Sequence, residues 1–220
     1  RMSQSSGQAR VIRFFEQVPL AAAVLVTILA VGTMAEWYQG MNPTTGFYPG
    51  GIAMLPLTSV SFGLDAVALA FAAKKERPLA LGVASIVLAC VVILITLIEL
   101  ASWIVGHDLG LDLLMFPDQL IRAPWSPPGR MALNTLVGLF VVSVGVLSLH
   151  IDDRTGRATS HWVGLVGGTL GFLGLVGYAF GVSGLYSVRQ HSAMAISTAA
   201  CLFVLGVGIV FARRASGLPK

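Results

Sequence analysis

Long apolar segments alternate with short polar ones along the whole chain, and this alternation is the strongest signal in the sequence. A helix needs about 20 residues to cross the hydrocarbon layer of a bilayer, and six apolar runs come near or exceed that length. The runs are Val18 to Trp37, Gly51 to Ala73, Pro78 to Val105, Met131 to Leu149, Trp162 to Phe180 and Ala193 to Ala212. They lack the two-residue alternation of barrel strands, so the pattern predicts an all-α integral membrane protein with six transmembrane helices.

A motif recurs three times within this pattern, which indicates an internal repeat. An aromatic residue is followed three positions later by glycine, and after a variable connection come Met-x-x-x-Thr and a phenylalanine. The copies are Trp37, Gly40, Met54, Thr58 and Phe62; Trp103, Gly106, Met131, Thr135 and Phe140; and Tyr178, Gly181, Met194, Thr198 and Phe203. A left-handed glycine commonly ends a helix, and aromatic residues favour the membrane interface. We therefore predict three helical hairpins with connections of different length.

Composition and charge fit a membrane protein and predict its orientation. The chain of 220 residues is 55% hydrophobic and 11% charged, whereas in soluble domains about a quarter of residues are charged. Of the 14 basic residues, eleven lie at the termini and in the second and fourth connections, which predicts that both termini are cytoplasmic. The net charge of +4 needs no nucleic-acid partner, because these basic residues sit beside helix ends and anionic lipid.

The six apolar runs and the basic residues that flank them divide the chain into three parts. Residues 1–17 form a cytoplasmic lead, residues 18–212 a six-helix membrane domain, and residues 213–220 a cytoplasmic exit towards any output domain. The stretch Gly32 to Ala35 loosely resembles a signal-peptide cleavage site. Because the apolar run is long, and its removal would leave an odd number of spans, we interpret the first run as an anchor.

The connection between the third and fourth runs, residues 106–130, is long enough to carry structure or function of its own. Its apolar stretch from Leu111 to Phe116 predicts a short helix lying in or on the outer leaflet. His107, Asp108 and Asp112 are close together, as metal ligands are, but the two aspartates also suit helix capping. No second cluster completes a metal site, and we predict neither a metal nor a cofactor.

One acidic residue, Asp65, falls inside the second run, where an unpaired charge costs about 2.5 to 3.5 kcal/mol. It must be paired or stay protonated. It is either a coupling or proton-handling group, or an acid that hydrogen-bonds a neighbouring helix or reaches Lys74 and Lys75.

The repeat also predicts a layer of similar side chains near the outer face, at a depth that suits a ligand. Its candidate ligand-binding residues are Glu36, Trp37, Thr58, Glu99, Trp103, Thr135, Tyr178 and Thr198. Apolar walls with a few polar groups are typical of small-molecule sites. The same residues also suit plain packing, since threonines in membrane helices bond their own carbonyls and aromatics mark interfaces.

Two remaining features favour structure over chemistry. Glycines spaced three or four residues apart fill the fifth run and predict a close packing seam between hairpins. Cys90 and Cys201 lie within apolar runs and lack metal-ligand spacing. The sequence also lacks a nucleophile elbow, a phosphate loop or a kinase signature, so the chain itself is not predicted to be an enzyme.

Three segments carry a family resemblance. They are Gly106-His-Asp-Leu-Gly-Leu-Asp112, Pro128-Gly-Arg-Met-Ala-Leu-Asn-Thr135, and Gly177-Tyr-Ala-Phe-Gly-Val-Ser-Gly-Leu-Tyr186 with the Met194-Ala-Ile-Ser-Thr198 that follows. In these the chain resembles the six-helix N-terminal membrane region of bacterial sensor histidine kinases and related PAS or diguanylate cyclase signalling proteins. It departs from them at Ser197, where the family leads us to expect histidine.

The resemblance implies a sensory input module in the bacterial inner membrane, responding to an unknown small molecule or membrane state. The sixth helix, leaving at Arg213 and Arg214, would transmit the signal, with Asp65 as a second candidate for coupling. We expect a homodimer. The alternative is a small transporter or an accessory subunit of a membrane complex, although hairpins repeated in one orientation lack the inverted symmetry of many transporters.

Overall fold

The structure, a computed structural model, describes residues 2–40, 52–74, 77–106, 110–122, 130–155, 158–189 and 192–212. The α-helices are α1 (Met2–Tyr38), α2 (Pro56–Ala72), α3 (Leu79–Val105), α4 (Pro117–Arg122), α5 (Leu133–Thr155), α6 (Thr159–Phe180) and α7 (Ile196–Ala212). Short 3₁₀ turns occur at Asp112–Leu114 and Ser183–Leu185, and strands β1 (Ser187–Arg189) and β2 (Ser192–Ala193) form an antiparallel ribbon. Apart from this ribbon the architecture is helical, as predicted.

Four helices in the described part of the chain are long and apolar enough to cross a membrane. They are the Phe15–Tyr38 part of α1, then α3, the Leu133–Asp152 part of α5, and α6. Helices α2 and α7 are apolar but have 17 residues each. They are shorter than the predicted runs because the residues around Met54 and Met194 form non-helical entries, after which Pro56 opens α2 at a position proline favours.

The hairpins pack in a cyclic order. Helices α1 and α2, α3 and α5, and α6 and α7 form the three hairpins, and the second helices, α2, α5 and α7, also contact one another. Each first helix packs in addition against the second helix of a different hairpin: α1 on α7, α3 on α2, and α6 on α5. The bundle is therefore a closed ring of hairpins around α2, α5 and α7.

The phenylalanines of the sequence motif are not equivalent in the structure. Phe62 is fully buried, but Phe140 and Phe203 are 38% and 37% exposed, because the first copy is one residue shorter between threonine and phenylalanine. One residue turns a helical side chain by about 100°. The true counterparts of Phe62 are two fully buried leucines, Leu139 and Leu202.

The glycine stripe of α6 lies mainly within the third hairpin. A Cβ on Gly171 would meet the carbonyl oxygen of Ala199 at 2.6 Å and the backbone nitrogen of Phe203, both on α7. A Cβ on Gly206 of α7 would meet the backbone of Gly168 on α6. The predicted seam exists, but it joins the two helices of one hairpin, and only its Gly167 edge faces another hairpin, at Val142 of α5.

Candidate functional site

The same type of hydrogen bond closes all three hairpins. The aromatic residue that ends each first helix donates to the backbone oxygen of the methionine that precedes each second helix. The bonds run from Trp37 Nε1 to Met54 O (2.9 Å), from Trp103 Nε1 to Met131 O (3.0 Å), and from the Tyr178 hydroxyl to Met194 O (2.6 Å). The aromatic and methionine halves of the repeat therefore form one structural unit.

The position of the methionine explains this bond. Each methionine lies two residues before the first helical residue, so its carbonyl oxygen is outside the helical hydrogen-bond ladder and needs another donor when buried. Tryptophan and tyrosine bring an apolar ring and a donor together. Gly40, Gly106 and Gly181 follow at φ values of 64°, 76° and 66°, which confirms the predicted left-handed stops.

The three repeat threonines are equivalent in the structure as well as in the sequence. Thr58, Thr135 and Thr198 are each the third residue of their helix and are 2%, 3% and 2% exposed. We call the three aromatic donors, the three methionines and these threonines the aromatic–methionine layer. The three threonines thus occupy equivalent, buried positions at the start of their helices.

The second hairpin places charged groups where the other two hairpins have none. Four residues before the aromatic donor stand Thr33, Glu99 and Gly174 in the three copies, and the Glu99 side chain is 1% exposed. Just before the methionine, the second copy has Arg130, where the other copies have alanine. The chemistry of the layer is therefore concentrated in one hairpin.

Arg130 is bound to the C-terminal end of α3. Its guanidinium donates to the backbone oxygen of Ser102, and its Cζ lies 4.2 Å from the centroid of the Trp103 ring. This is a cation–π contact, which orients a planar guanidinium over the ring face. Glu99 lies about one turn further down the same helix, so one short stretch of α3 carries an acid, contacts a base and supplies an indole.

The two predicted glutamates differ in their surroundings. Glu36, one residue before Trp37, is partly exposed. Glu99, in contrast, is buried, with 1% of its surface exposed. Only Glu99 lies on the same face of its helix as the aromatic donor, because four residues correspond to about one helical turn.

Part of the long connection folds over the first hairpin. The Phe116 ring stacks on the Trp37 ring with centroids 6.2 Å apart, Leu111 packs against the core, and Leu120 is fully buried. The apolar helix predicted from Leu111 to Phe116 is instead a 3₁₀ turn followed by α4. Residues 110–122, which we call the cover segment, therefore tie the second hairpin to the first.

The connection between α6 and α7, within the third hairpin, is tied to the second hairpin through Tyr186. Its ring stacks on Tyr178 at 4.2 Å, and its backbone oxygen accepts hydrogen bonds from Asn134 Nδ2 (2.7 Å) and from the backbone nitrogen of Met194 (2.8 Å). Sequence reasoning missed Asn134, Tyr186, Arg130 and Phe116. The usable signal for Arg130 was its place in the repeat, where the other copies have alanine.

Asp65 does not belong to the layer. It is fully buried seven residues beyond Thr58, about 10 Å deeper along α2, and its carboxylate oxygens lie 2.8 and 3.1 Å from Ser143 Oγ of α5. Ser143 Oγ is also 2.9 Å from the Leu139 carbonyl oxygen, yet it has one hydrogen to donate. A protonated Asp65 would satisfy every group, donating to Ser143 while Ser143 donates to Leu139.

This geometry matches the interpretation in which Asp65 bonds a neighbouring helix. Lys74 is exposed at the end of α2, and Lys75 lies outside the described residues, as do His107, Asp108, Arg213 and Arg214. Within the described ranges, the histidine, cysteine and acidic side chains form no group of three that could hold a metal ion.

Comparison with known proteins does not identify a relative. No protein-family description, curated protein or solved structure matches this chain. What can be concluded about its function therefore comes from its own residues and their arrangement.

Proposed function

We propose that this chain is the sensory input region of a bacterial membrane signalling protein, and that it binds its ligand at the second hairpin, beside Trp103. One observation carries the proposal. The aromatic–methionine layer repeats its frame three times, but Glu99 and Arg130 occur in one copy and flank Trp103 there. A rigid frame with a few convergent polar groups is what a small-molecule site requires.

The proposal includes six membrane spans with both termini in the cytoplasm. Helices α2 and α7 have 17 residues, or about 26 Å at the α-helical rise, and their non-helical entries add length towards the roughly 30 Å hydrocarbon layer. The distribution of basic residues supports the orientation.

Helix α7 is the proposed output element. It packs against α1, α2, α5 and α6, and its first turn carries Thr198 of the layer. A change at the layer therefore acts on a helix that every hairpin contacts, and Arg213 and Arg214 follow its last residue, Ala212. Coupling of this kind requires two discrete arrangements of a packed helix.

A phase experiment tests the coupling without knowledge of the ligand. In the full-length protein, one to four residues are inserted after Ala212, and kinase or cyclase output is measured in membrane vesicles. Each inserted residue turns the downstream segment by about 100°, so output should vary with the phase and recover near a full turn. Output that is the same at every phase, or a full-length chain without an output domain, would contradict the proposal.

Cysteine labelling tests the topology. In a background with Cys90→Ala and Cys201→Ala, single cysteines at Gln39 and Asp118 should react with an impermeant maleimide from outside intact cells. Cysteines at Lys74 and Thr159 should react only after the membrane is opened. All four positions are exposed in the structure, so burial does not explain a lack of reaction. Labelling of Lys74→Cys in intact cells would reverse or break the proposed arrangement.

The transporter alternative is favoured by the buried Asp65 and Ser143 pair, since ionisable residues inside membranes often serve ion or proton pathways. Proteoliposomes with a pH-sensitive dye inside provide the test. Proton flux that depends on the protein and is lost in Asp65→Asn would support transport, and its absence would favour the sensor.

A further inference from the structure

The cover segment is held in shape by its own hydrogen bonds. The backbone nitrogens of Leu113 and Leu114 donate to oxygens three residues earlier, and those of Gln119 and Leu120 both donate to the oxygen of Phe116. Side chains, in contrast, make the contacts with the first hairpin and the core that were described above. Because these hydrogen bonds join residues of the segment itself, they survive if the segment leaves the bundle as a unit.

The docked segment carries backbone strain at Phe116. Within the described ranges, Phe116 is the one residue other than glycine that has a positive φ, at 54°. A bulky residue in this left-handed region is an outlier, because its Cβ crowds the following carbonyl oxygen. The same residue supplies the ring that stacks on Trp37, so the strain is borne at the point of contact. Such strain persists only where the surrounding structure holds it.

A second unfavourable feature lies three residues further along. The side-chain oxygen of Gln119 is buried, yet no described residue donates a hydrogen bond to it. An amide oxygen that loses water without gaining a donor destabilises the state that buries it. Release of the segment would relieve both features, since Phe116 could return to a negative φ and Gln119 could meet water.

The apolar contacts that hold the segment down are weaker here than they would be in water. The segment joins α3 to α5, which are both long and apolar enough to cross a membrane, so it lies where they leave it. On its open side Leu114 and Ile121 are 74% and 60% exposed, which suits contact with lipid. Apolar side chains that leave the bundle can enter the same lipid surface. Exchange between two apolar surroundings carries little hydrophobic penalty.

We propose that the cover segment exchanges between two arrangements, the docked one with Phe116 on Trp37 and a released one in which the intact segment lies on the lipid surface. Release would uncover Trp37, whose indole closes the first hairpin on Met54, and would remove a bridge between the first and second hairpins. A two-state element at this place lets an event at the membrane surface act on both hairpins. This inference does not rest on the proposed sensory role or on a ligand beside Trp103.

Distances between spin labels test the release. In the background with Cys90→Ala and Cys201→Ala, labels are attached to cysteines at Asp118 in the segment and at Lys74, beyond the far end of α2. Both positions are exposed, and double electron–electron resonance is measured in lipid nanodiscs. We expect two distances, a major one for the docked segment and a minor one for the released segment. A control pair at Gln39 and Lys74 spans the bundle without the segment and should give one distance.

Two variants of Phe116 separate the ring from the strain. Phe116→Ala loses the ring and keeps the strained φ, so the ratio of released to docked segment should rise about tenfold. Phe116→Gly loses the ring and the strain together, since glycine populates positive φ readily. Its ratio should be about fivefold lower than that of Phe116→Ala. At an unstrained position glycine would instead favour release, so the sign of the difference reports the strain.

A third variant tests the buried oxygen. In the Phe116→Ala background, where the released state is more populated, Gln119→Leu removes this oxygen at similar volume. It should lower the ratio of released to docked segment about fivefold. Gln17→Leu, at an exposed position of α1 outside the segment, is the matched control and should leave the ratio unchanged.

Four results would overturn the proposal. A single distance between Asp118 and Lys74, in both the native sequence and Phe116→Ala, would mean that the segment is a fixed part of the bundle. More release in Phe116→Gly than in Phe116→Ala would show that the backbone there is unstrained. An unchanged ratio in Gln119→Leu would show that the buried oxygen does not favour release. A second distance between Gln39 and Lys74 would show that the bundle changes and not the segment.

Discussion

The second and third hairpins share one frame and differ in how their helices meet. Both close with an aromatic donor on a methionine oxygen, and both place threonine third in the second helix. In the third hairpin, glycines bring the backbones of α6 and α7 into direct contact. At Gly174 of the third hairpin, a Cβ would collide with the Met194 methyl group. The equivalent residue of the second hairpin is the buried Glu99. The repeat fixes the frame. Single positions decide whether the two helices of a hairpin make direct backbone contact or enclose a polar side chain.

The largest expected effect comes from disrupting the close glycine contact between α6 and α7. Gly171→Ala puts a methyl group against backbone atoms of Ala199 and Phe203 that cannot move aside, so it should cost about 3 kcal/mol or prevent folding. Its matched control is Gly32→Ala in α1, where a Cβ meets nothing within 4 Å. The control should be neutral or stabilising by up to about 1 kcal/mol. Unfolding in a denaturing detergent series measures both, and equal stabilities would contradict the seam.

An intermediate effect tests the shared frame. Tyr178→Phe removes one oxygen and leaves the Met194 carbonyl oxygen without this donor, which should cost about 1 kcal/mol. Trp103→Phe should cost at least as much, because it also reduces the ring beneath Arg130. The same unfolding series applies, with the exposed Tyr38→Phe as control. If neither variant differed from this control, the repeated bond would be incidental to stability.

The smallest effect separates charge from stacking in the second hairpin. Arg130→Lys keeps the charge but loses the planar contact with Trp103, at a cost of about 0.5 to 1 kcal/mol. Arg130→Gln loses both and should cost more, so thermal unfolding of the pair in the same detergent ranks the two contributions. Equal stabilities for the two variants would show that stacking alone matters.

The sequence predicted what depends on local chemistry. The glycine stops and the place of each threonine near the start of its helix follow from short motifs whose conformation is set within a few residues. The sequence motif wrongly aligned Phe62 of the first copy with Phe140 and Phe203. Apolar residues are so frequent in this chain that one falls near any chosen position. Arg130 on Trp103 and Phe116 on Trp37 join segments far apart in the chain, and no local pattern encodes such pairs. The glycine stripe gave a helix face, but spacing cannot tell which neighbour covers that face.

The closed ring of hairpins has a consequence for how the chain is made. Helix α1 packs on α7, with the Phe15 and Phe211 rings stacked 5.1 Å apart and Gly208 of α7 against Ala22. During synthesis α1 therefore leaves the ribosome long before its second partner exists, and the ring stays open until α7 inserts. Nascent chains stalled before Ile196 should keep the buried Ala22 face of α1 accessible to a lipid-phase photo-crosslinker, and lose that access once synthesis passes α7.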